Sequence, residues 1–398
     1  MENTFDNSLE LLEKLKFEFE DSSCASYAVV GLKSSLPQFA NIVLPEEYNG
    51  KPVTSIGDEA FLSCHELASI TIAKSIKRIG KSAFSNCGLL SVSILEGVTI
   101  IDDEAFAFCG GLKDVAIPNS VKTIGNAVFY DCGRLQSIEI GKSVVSLGES
   151  AFAKCNNLET ATISGNIKVI KDGTFADCRA LTSVTIGEGI LEIGEQVFAR
   201  CKKLTAIEIP DSVLTIGYAA FLLCDRLQSV TIGKGVTKIE DYAFNGCRAL
   251  QNIAIPNNVI SIGSGAFYEC RELVNVTVSN NLTSIGAMAF SGCWHLNSIL
   301  IPNGILSLEN MTFLECRSLT SFVIPKTVTT ICKNVFSSCA KIENIFIPKS
   351  VVSIESQAFS SWTENQKIYC EAASQPSGWD KDWRDRCQAE VVWGVTSV

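Results

Sequence analysis

Apolar residues along the chain fall into two alternating runs that repeat with a fixed period. The first run is Leu-x-x-Val-x-Ile, as in Leu67, Ile70, Ile72 or Leu181, Val184, Ile186. Its strict alternation predicts a short strand with one face buried. Proline closes this strand at Pro118, Pro210, Pro256, Pro302, Pro325 and Pro348, and a proline has no N–H to give to a ladder. The second run is Ile-Gly-x-x-Ala-Phe-x-x-Cys. In Ala60, Phe61, Cys64 and Leu67 its apolar residues stand at i, i+1, i+4 and i+7, which predicts one face of a short helical turn. The Phe recurs at Phe61, Phe84, Phe106, Phe129, Phe152, Phe175, Phe198, Phe221, Phe244, Phe267, Phe290, Phe313, Phe336 and Phe359, fourteen copies. Each step is 23 residues, except for one of 22 between Phe84 and Phe106. A Cys follows three residues later in thirteen copies, from Cys64 to Cys339, and Trp362 takes that place in the last.

Self-similarity at a fixed period of this length predicts a solenoid, in which each unit packs on its neighbours and no central core exists. The expected class is an α/β repeat of about fourteen 23-residue units, each a short parallel strand, a turn, a short helical turn and a return. Residues 1–38 lack the repeat and predict an N-terminal cap of helix and strands. Residues 39–362 form the array. Residues 363–398 hold Trp379, Trp383 and Trp393, three of the five tryptophans, and predict a Trp-rich C-terminal cap. Such lids keep the end repeats from exposing their core.

The combined unit, Leu-x-x-Val-x-Ile-Pro-x-x-Val-x-x-Ile-Gly-x-x-Ala-Phe-x-x-Cys, resembles the BspA-like, Treponema-type leucine-rich repeats over residues 39–362. The opening Ile42-Val-Leu-Pro45 through Pro52-Val53 looks like a first repeat of such arrays. The segment from Ile368-Tyr-Cys-Glu371 to Val392-Trp393-Gly394 resembles a C-terminal segment of related bacterial proteins. The resemblance implies a leucine-rich-repeat solenoid and a bacterial surface or secreted protein that binds host or matrix proteins in adhesion. The first residues, Met1-Glu-Asn-Thr-Phe-Asp6, lack the basic start and apolar core of a signal peptide, so a cytoplasmic location is the alternative expectation. No run of about 18 apolar residues predicts a transmembrane helix.

Charge and cysteine content narrow the chemistry. The net charge is −10, with Lys and Arg scattered, so no concentrated basic face is expected for nucleic acid. The ladder cysteines recur on one side of each coil and read as small buried hydrophobes, not as metal ligands or disulfides. No Cys-x-x-Cys pair occurs among the seventeen, and a 23-residue spacing matches no zinc motif. Cys24, Cys332, Cys370 and Cys387 lie off the ladder, and Cys370 with Cys387 is the pair that would bridge in an exported chain. The only histidines, His65 and His295, stand ten repeats apart, roughly 48 Å at strand spacing, and cannot share a site. Neither catalytic residues nor a cofactor or metal site is expected. The repeated glycines, such as Gly57, Gly80 and Gly125, read as turn residues.

The solvent face of the strands carries the candidate site. The residue between Val and Ile points outward because side chains alternate. Along the array it is Thr71, Ser93, Ala116, Glu139, Thr162, Thr185, Glu208, Thr231, Ala254 and Thr277, then Leu300, Val323 and Phe346. The last three are large and apolar on consecutive repeats, a stripe about 10 Å long on an otherwise polar face. Such a stripe marks either a partner contact or a surface that the C-terminal cap covers. Trp294 and His295 fall in a return loop on another face. The expected function is a non-catalytic, monomeric scaffold that binds a protein or a glycan. The alternatives are an intracellular interaction adaptor, or a structural spacer in a cell envelope with no dedicated ligand.

Overall fold

The computed structural model of the chain describes residues 6–164 and 166–396. It is a leucine-rich-repeat β-solenoid of about sixteen turns, and its contacts divide it into two units: Met1–Ile190 with Arg200–Lys202, and Leu191–Ala199 with Lys203–Val398.

In the first unit the Val-x-Ile strands stack in parallel and in register. Ser69–Ile72 pairs residue for residue with Ser91–Ile94. Ser137–Ile140 pairs with Thr160–Ile163, which pairs with Ser183–Ile186. A second parallel ladder uses only two residues per coil, through Ile56, Ile79, Ile101, Ile124 and Leu147. Every coil thus brings two inward apolar edges to one interior. The interior is filled by the phenylalanines, whose rings from Phe61 to Phe175 stack nearly parallel, with centroids 5.1 to 5.5 Å apart. At the start, a helix at Asp6–Glu13 packs near the strand Ala40–Val43. Leu15–Phe19 pairs antiparallel with Tyr27–Leu32, which joins the second ladder through Lys51–Ile56.

The second unit repeats this plan. Its rings run from Phe198 to Phe359, with steps that widen from 5.1 Å at Phe221–Phe244 to 5.8 and 6.0 Å around Phe313. The widening has a visible cause. Phe322 stands where other coils have Val, Ile or Ala, and its buried ring lies 5.0 Å from Phe313 and 4.8 Å from Phe336. At the same coils strand pairing thins to the isolated bridges Asn275–Ser298 and Val323–Phe346. Full pairing resumes at Asn344–Ile347, and Lys367–Cys370 and Glu390–Trp393 continue it in register. The Trp-rich segment therefore prolongs the strand ladder by two rungs, which takes the solenoid past fourteen turns. Trp383 meets the last ring, Phe359, edge-on at 5.8 Å. Cys370 is a buried inward residue of this ladder, and both it and Cys387 are free thiols.

The helical turn expected over Ala-Phe-x-x-Cys is not a helix. Among the described residues Asp6–Glu13 is the only α-helix. A helix needs consecutive N–H groups bonded four residues back. Here alternate N–H groups leave the segment. Glu59, Phe61 and Ser63 donate to Lys81, Ala83 and Ser85 carbonyls of the next coil, while Ala60, Leu62 and Cys64 donate three residues back. Glu59 and Ser63 accordingly take left-handed φ values of 59° and 56°. The apolar spacing of a helical face is thus produced by linked tight turns.

The repeated glycines are explained by close approach. Gly148 and Gly263 are not left-handed, but a Cβ on either would lie 2.2 Å from Gly125 or 2.4 Å from Asp241 backbone atoms of the preceding coil.

Candidate functional site

Two rows of side chains decide what the interior can and cannot do. Each ladder thiol after Cys64 donates to the carbonyl of the preceding coil's Phe. In the first unit Cys87, Cys109, Cys132, Cys155, Cys178 and Cys201 reach Phe61, Phe84, Phe106, Phe129, Phe152 and Phe175, at 2.8 to 3.3 Å. In the second, the same bond runs from Cys224 to Phe198 and on to Cys339 and Phe313. Trp362, which replaces the last ladder Cys, keeps the bond: its indole N–H donates to Phe336 O at 2.8 Å. The position is a buried-donor position, and Cys and Trp are two solutions to it. Burial also pushes the thiols up, Cys339 to about 12. Such thiols are neutral and poor nucleophiles at physiological pH. Among the described residues no group of three or more His, Cys, Asp or Glu could hold a metal ion.

The strand face of the second unit is where the apolar stripe lies. Leu300 is 78% exposed and Val323 is 70% exposed. Phe346 is half-buried and pairs in register with Tyr369. The C-terminal segment does not fold back over Leu300 and Val323. It adds Tyr369 and then Val392 to the same row, both half-buried. The structure thus joins Val323, Phe346, Tyr369 and Val392 through strand pairing, with Leu300 one coil before them. Sequence reasoning missed Tyr369 and Val392. They stand 23 and 46 residues after Phe346, so the period pointed to them, but the loss of Leu-x-x-Val-x-Ile after residue 362 hid the continuation.

The row beside the stripe is polar and uncharged: Asn252, Asn275, Ser298, Ser321 and Asn344. Asn275 donates its Nδ2 to Asn252 Oδ1 at 2.7 Å. A depression of about 390 Å³ adjoins Leu300 and is lined by Asn257, Asn275, Thr277, Asn280 and Ser298. At the far end Lys367 pairs with Glu390 at 3.0 Å, so that rung carries no net charge.

Trp294 lies on a different edge. Its ring is held between Arg271 and Arg317, whose guanidinium carbons are 4.3 and 4.6 Å from its centroid. Glu269 and Glu315 pair with those arginines in turn. Both ring faces are occupied, so this stack holds three coils together and offers no open platform. His295 Nδ1 donates to Arg271 O, 2.8 Å away. His65 lies in the first unit and His295 in the second.

A model of the BspA type leucine rich repeat region matches residues 35–159, 146–260 and 237–366. Among solved structures, the chain is similar to a leucine-rich repeat protein from Bacteroides ovatus, with 24% identity and a TM-score of 0.67 over 90% of this chain and 98% of that one. It is also similar to a leucine rich cell surface protein from Faecalibacterium prausnitzii, with 26% identity and a TM-score of 0.51 over 97% of each. A leucine-rich repeat protein from Eubacterium ventriosum is 26% identical, with a TM-score of 0.50 over 92% of this chain and 96% of that one. No curated protein matches the chain.

Proposed function

The chain belongs to the BspA-type leucine-rich-repeat family, and from that premise we propose that it is a non-catalytic binding scaffold of a bacterial cell surface. Its ligand, a protein or a glycan, is held on the strand face of the second unit at Leu300, Val323 and Phe346. The observation that carries this reading is the exposure of Leu300 and Val323 on neighbouring coils of a ladder whose earlier outward residues are small or polar. Contiguous exposed apolar surface on a folded protein is a marker of interfaces. The ladder thiols are buried and pushed up by burial, which makes them poor nucleophiles. The Faecalibacterium protein of similar length is described as a cell surface protein, which favours the same location here. No helix among the described residues is long and apolar enough to cross a membrane.

Changing Leu300, Val323 and Phe346 together to Thr, the residue commonest earlier in that row, tests the reading. Binding to host extracellular matrix preparations and to arrayed glycans is measured for both proteins. The proposal expects a ligand of the wild type that the folded triple variant loses. Equal binding by the two proteins places the contact elsewhere and rejects the stripe.

A further inference from the structure

The strand face of the second unit is free of charge over a long stretch. On the six coils from Ser229 to Phe346, the outward positions are Ser229 and Thr231, Asn252 and Ala254, Asn275 and Thr277, Ser298 and Leu300, Ser321 and Val323, Asn344 and Phe346. The position after each strand's last inward residue is Gly233, Pro256, Ser279, Pro302, Pro325 or Pro348. None of these eighteen positions is ionisable, in a chain where 19% of residues are charged and the net charge is −10. A surface chosen only for solubility would carry charges here. This one offers hydroxyls, amides and apolar side chains in parallel rows.

From this we infer that the ligand of this face is an uncharged glycan, a linear chain of pyranose sugars running across the coils. The inference rests on the scaffold reading above and names its ligand. A neutral sugar is amphipathic. Its C–H face packs on apolar or aromatic side chains, and its hydroxyls need donors and acceptors at the edge. The apolar row Leu300, Val323, Phe346 and Tyr369 supplies the first. The adjacent row Asn252, Asn275, Ser298, Ser321 and Asn344 supplies the second. An amide is suited to this work because it offers both an acceptor and two donors. The Asn252–Asn275 bond uses Asn275 Nδ2 and Asn252 Oδ1. It leaves Asn275 Oδ1 and Asn252 Nδ2 without a protein partner among the described residues. The depression at Asn257, Asn275, Asn280 and Ser298, which Val276, Val278 and Ile299 also line, includes Leu300, so polar groups and the apolar stripe meet in one depression.

Periodicity supports a polymer. Neighbouring strands of this face lie ~4.8 Å apart, close to the length of one pyranose unit along a glycan chain. A repeating ligand then meets a polar row beside an apolar one on the three successive coils of Ser298, Ser321 and Asn344. The eighteen positions themselves offer an anionic polysaccharide no cation, the nearest being Lys326 and Lys349 just past the edge row and Lys367, which is paired with Glu390, so charge complementarity disfavours it. A charged peptide segment meets the same mismatch.

Isothermal titration with cellohexaose, maltohexaose and mannohexaose tests the assignment, with a heparin hexasaccharide and an amphipathic helical peptide as the competing chemistries. The expected result is binding of at least one neutral hexasaccharide, unchanged between low and high salt because no charges take part. Asn275→Ala and Phe346→Ala should each weaken it about tenfold or more. Both variants leave buried ladder residues in place, and a thermal melt checks that they fold. Absence of binding by all three neutral sugars overturns the inference, as does tighter or salt-sensitive binding of the heparin fragment. Binding of the peptide alone, lost in the triple Thr variant, overturns the glycan and keeps the scaffold. Sugar binding unaffected by either point variant also overturns it, by placing the sugar on another surface.

Discussion

At the scale of the residue, the ladder cysteine is a hydrogen-bond donor before it is anything else. Its thiol is small enough for the interior and still satisfies the second lone pair of a buried Phe carbonyl. Substitution separates the two roles. Cys155→Ser keeps a donor for Phe129 O and Cys155→Ala does not, so the Ala variant should be the less stable by about 1 kcal/mol in denaturant melts. Trp362→Phe removes the same bond at the end of the row, and a loss of about 1–3 kcal/mol is expected. The thiols themselves should stay silent. A maleimide should label Cys24 and Cys387, the two half-buried cysteines, well before the others, and most of the seventeen only after denaturation. Fast native labelling of the ladder would contradict their burial. The ring stack carries more of the stability. Phe198→Ala opens a cavity against Phe221 and should cost about 3–5 kcal/mol, with the first damage confined to adjacent coils.

At the scale of the element, the strand rows were legible because side-chain alternation has one reading, and the inward assignments of Val184, Ile186 and their equivalents hold. The Ala-Phe-x-x-Cys segment was not. Apolar residues at i, i+1, i+4 and i+7 fit a helical face, but which N–H groups turn outward depends on the neighbouring coil, and local spacing does not record that. The left-handed residues, Glu59, Ser63 and their successors Ser82 and Asn86, vary in type, so no fixed Gly or Asn betrays the turns. Coil-to-coil ties on this side are partly ionic. Arg78 spans three coils, 2.7 Å from Asp58 and 2.6 Å from Asp102. Desolvation raises the Asp58 pKa, but hydrogen bonds from Arg78 and the Lys81 N–H, with both positive charges, outweigh it and hold the carboxyl below its ordinary range. A folded-state pKa lowered in this way contributes stability above the unfolded pKa, which is lost as pH falls through the folded value. Asp58→Asn should therefore lose stability at neutral pH and converge with the wild type in acid. The pair is largely exposed, so the difference should stay below about 1 kcal/mol.

At the scale of the whole molecule, the period set the solenoid and the order of its rows, and it placed Leu300, Val323 and Phe346 on the outer strand face. What it left open was whether the C-terminal segment covers them. That segment has lost the consensus, and only the parallel pairing of Lys367–Cys370 and Glu390–Trp393 shows that it runs on as further rungs. The stripe is therefore lengthened by Tyr369 and Val392, and it lies beside an uncharged polar row. The central claim is that Leu300 and Val323, the exposed part of this stripe, serve a ligand and not the fold. The unfolding free energy of a Leu300→Thr, Val323→Thr double variant, at these two exposed positions, tests it without any ligand. Exposed positions should shift stability by no more than about 0.5 kcal/mol each, so a denaturation curve close to that of the wild type is predicted. A loss of several kcal/mol would contradict the account, since only side chains packed against the rest of the chain cost that much to truncate.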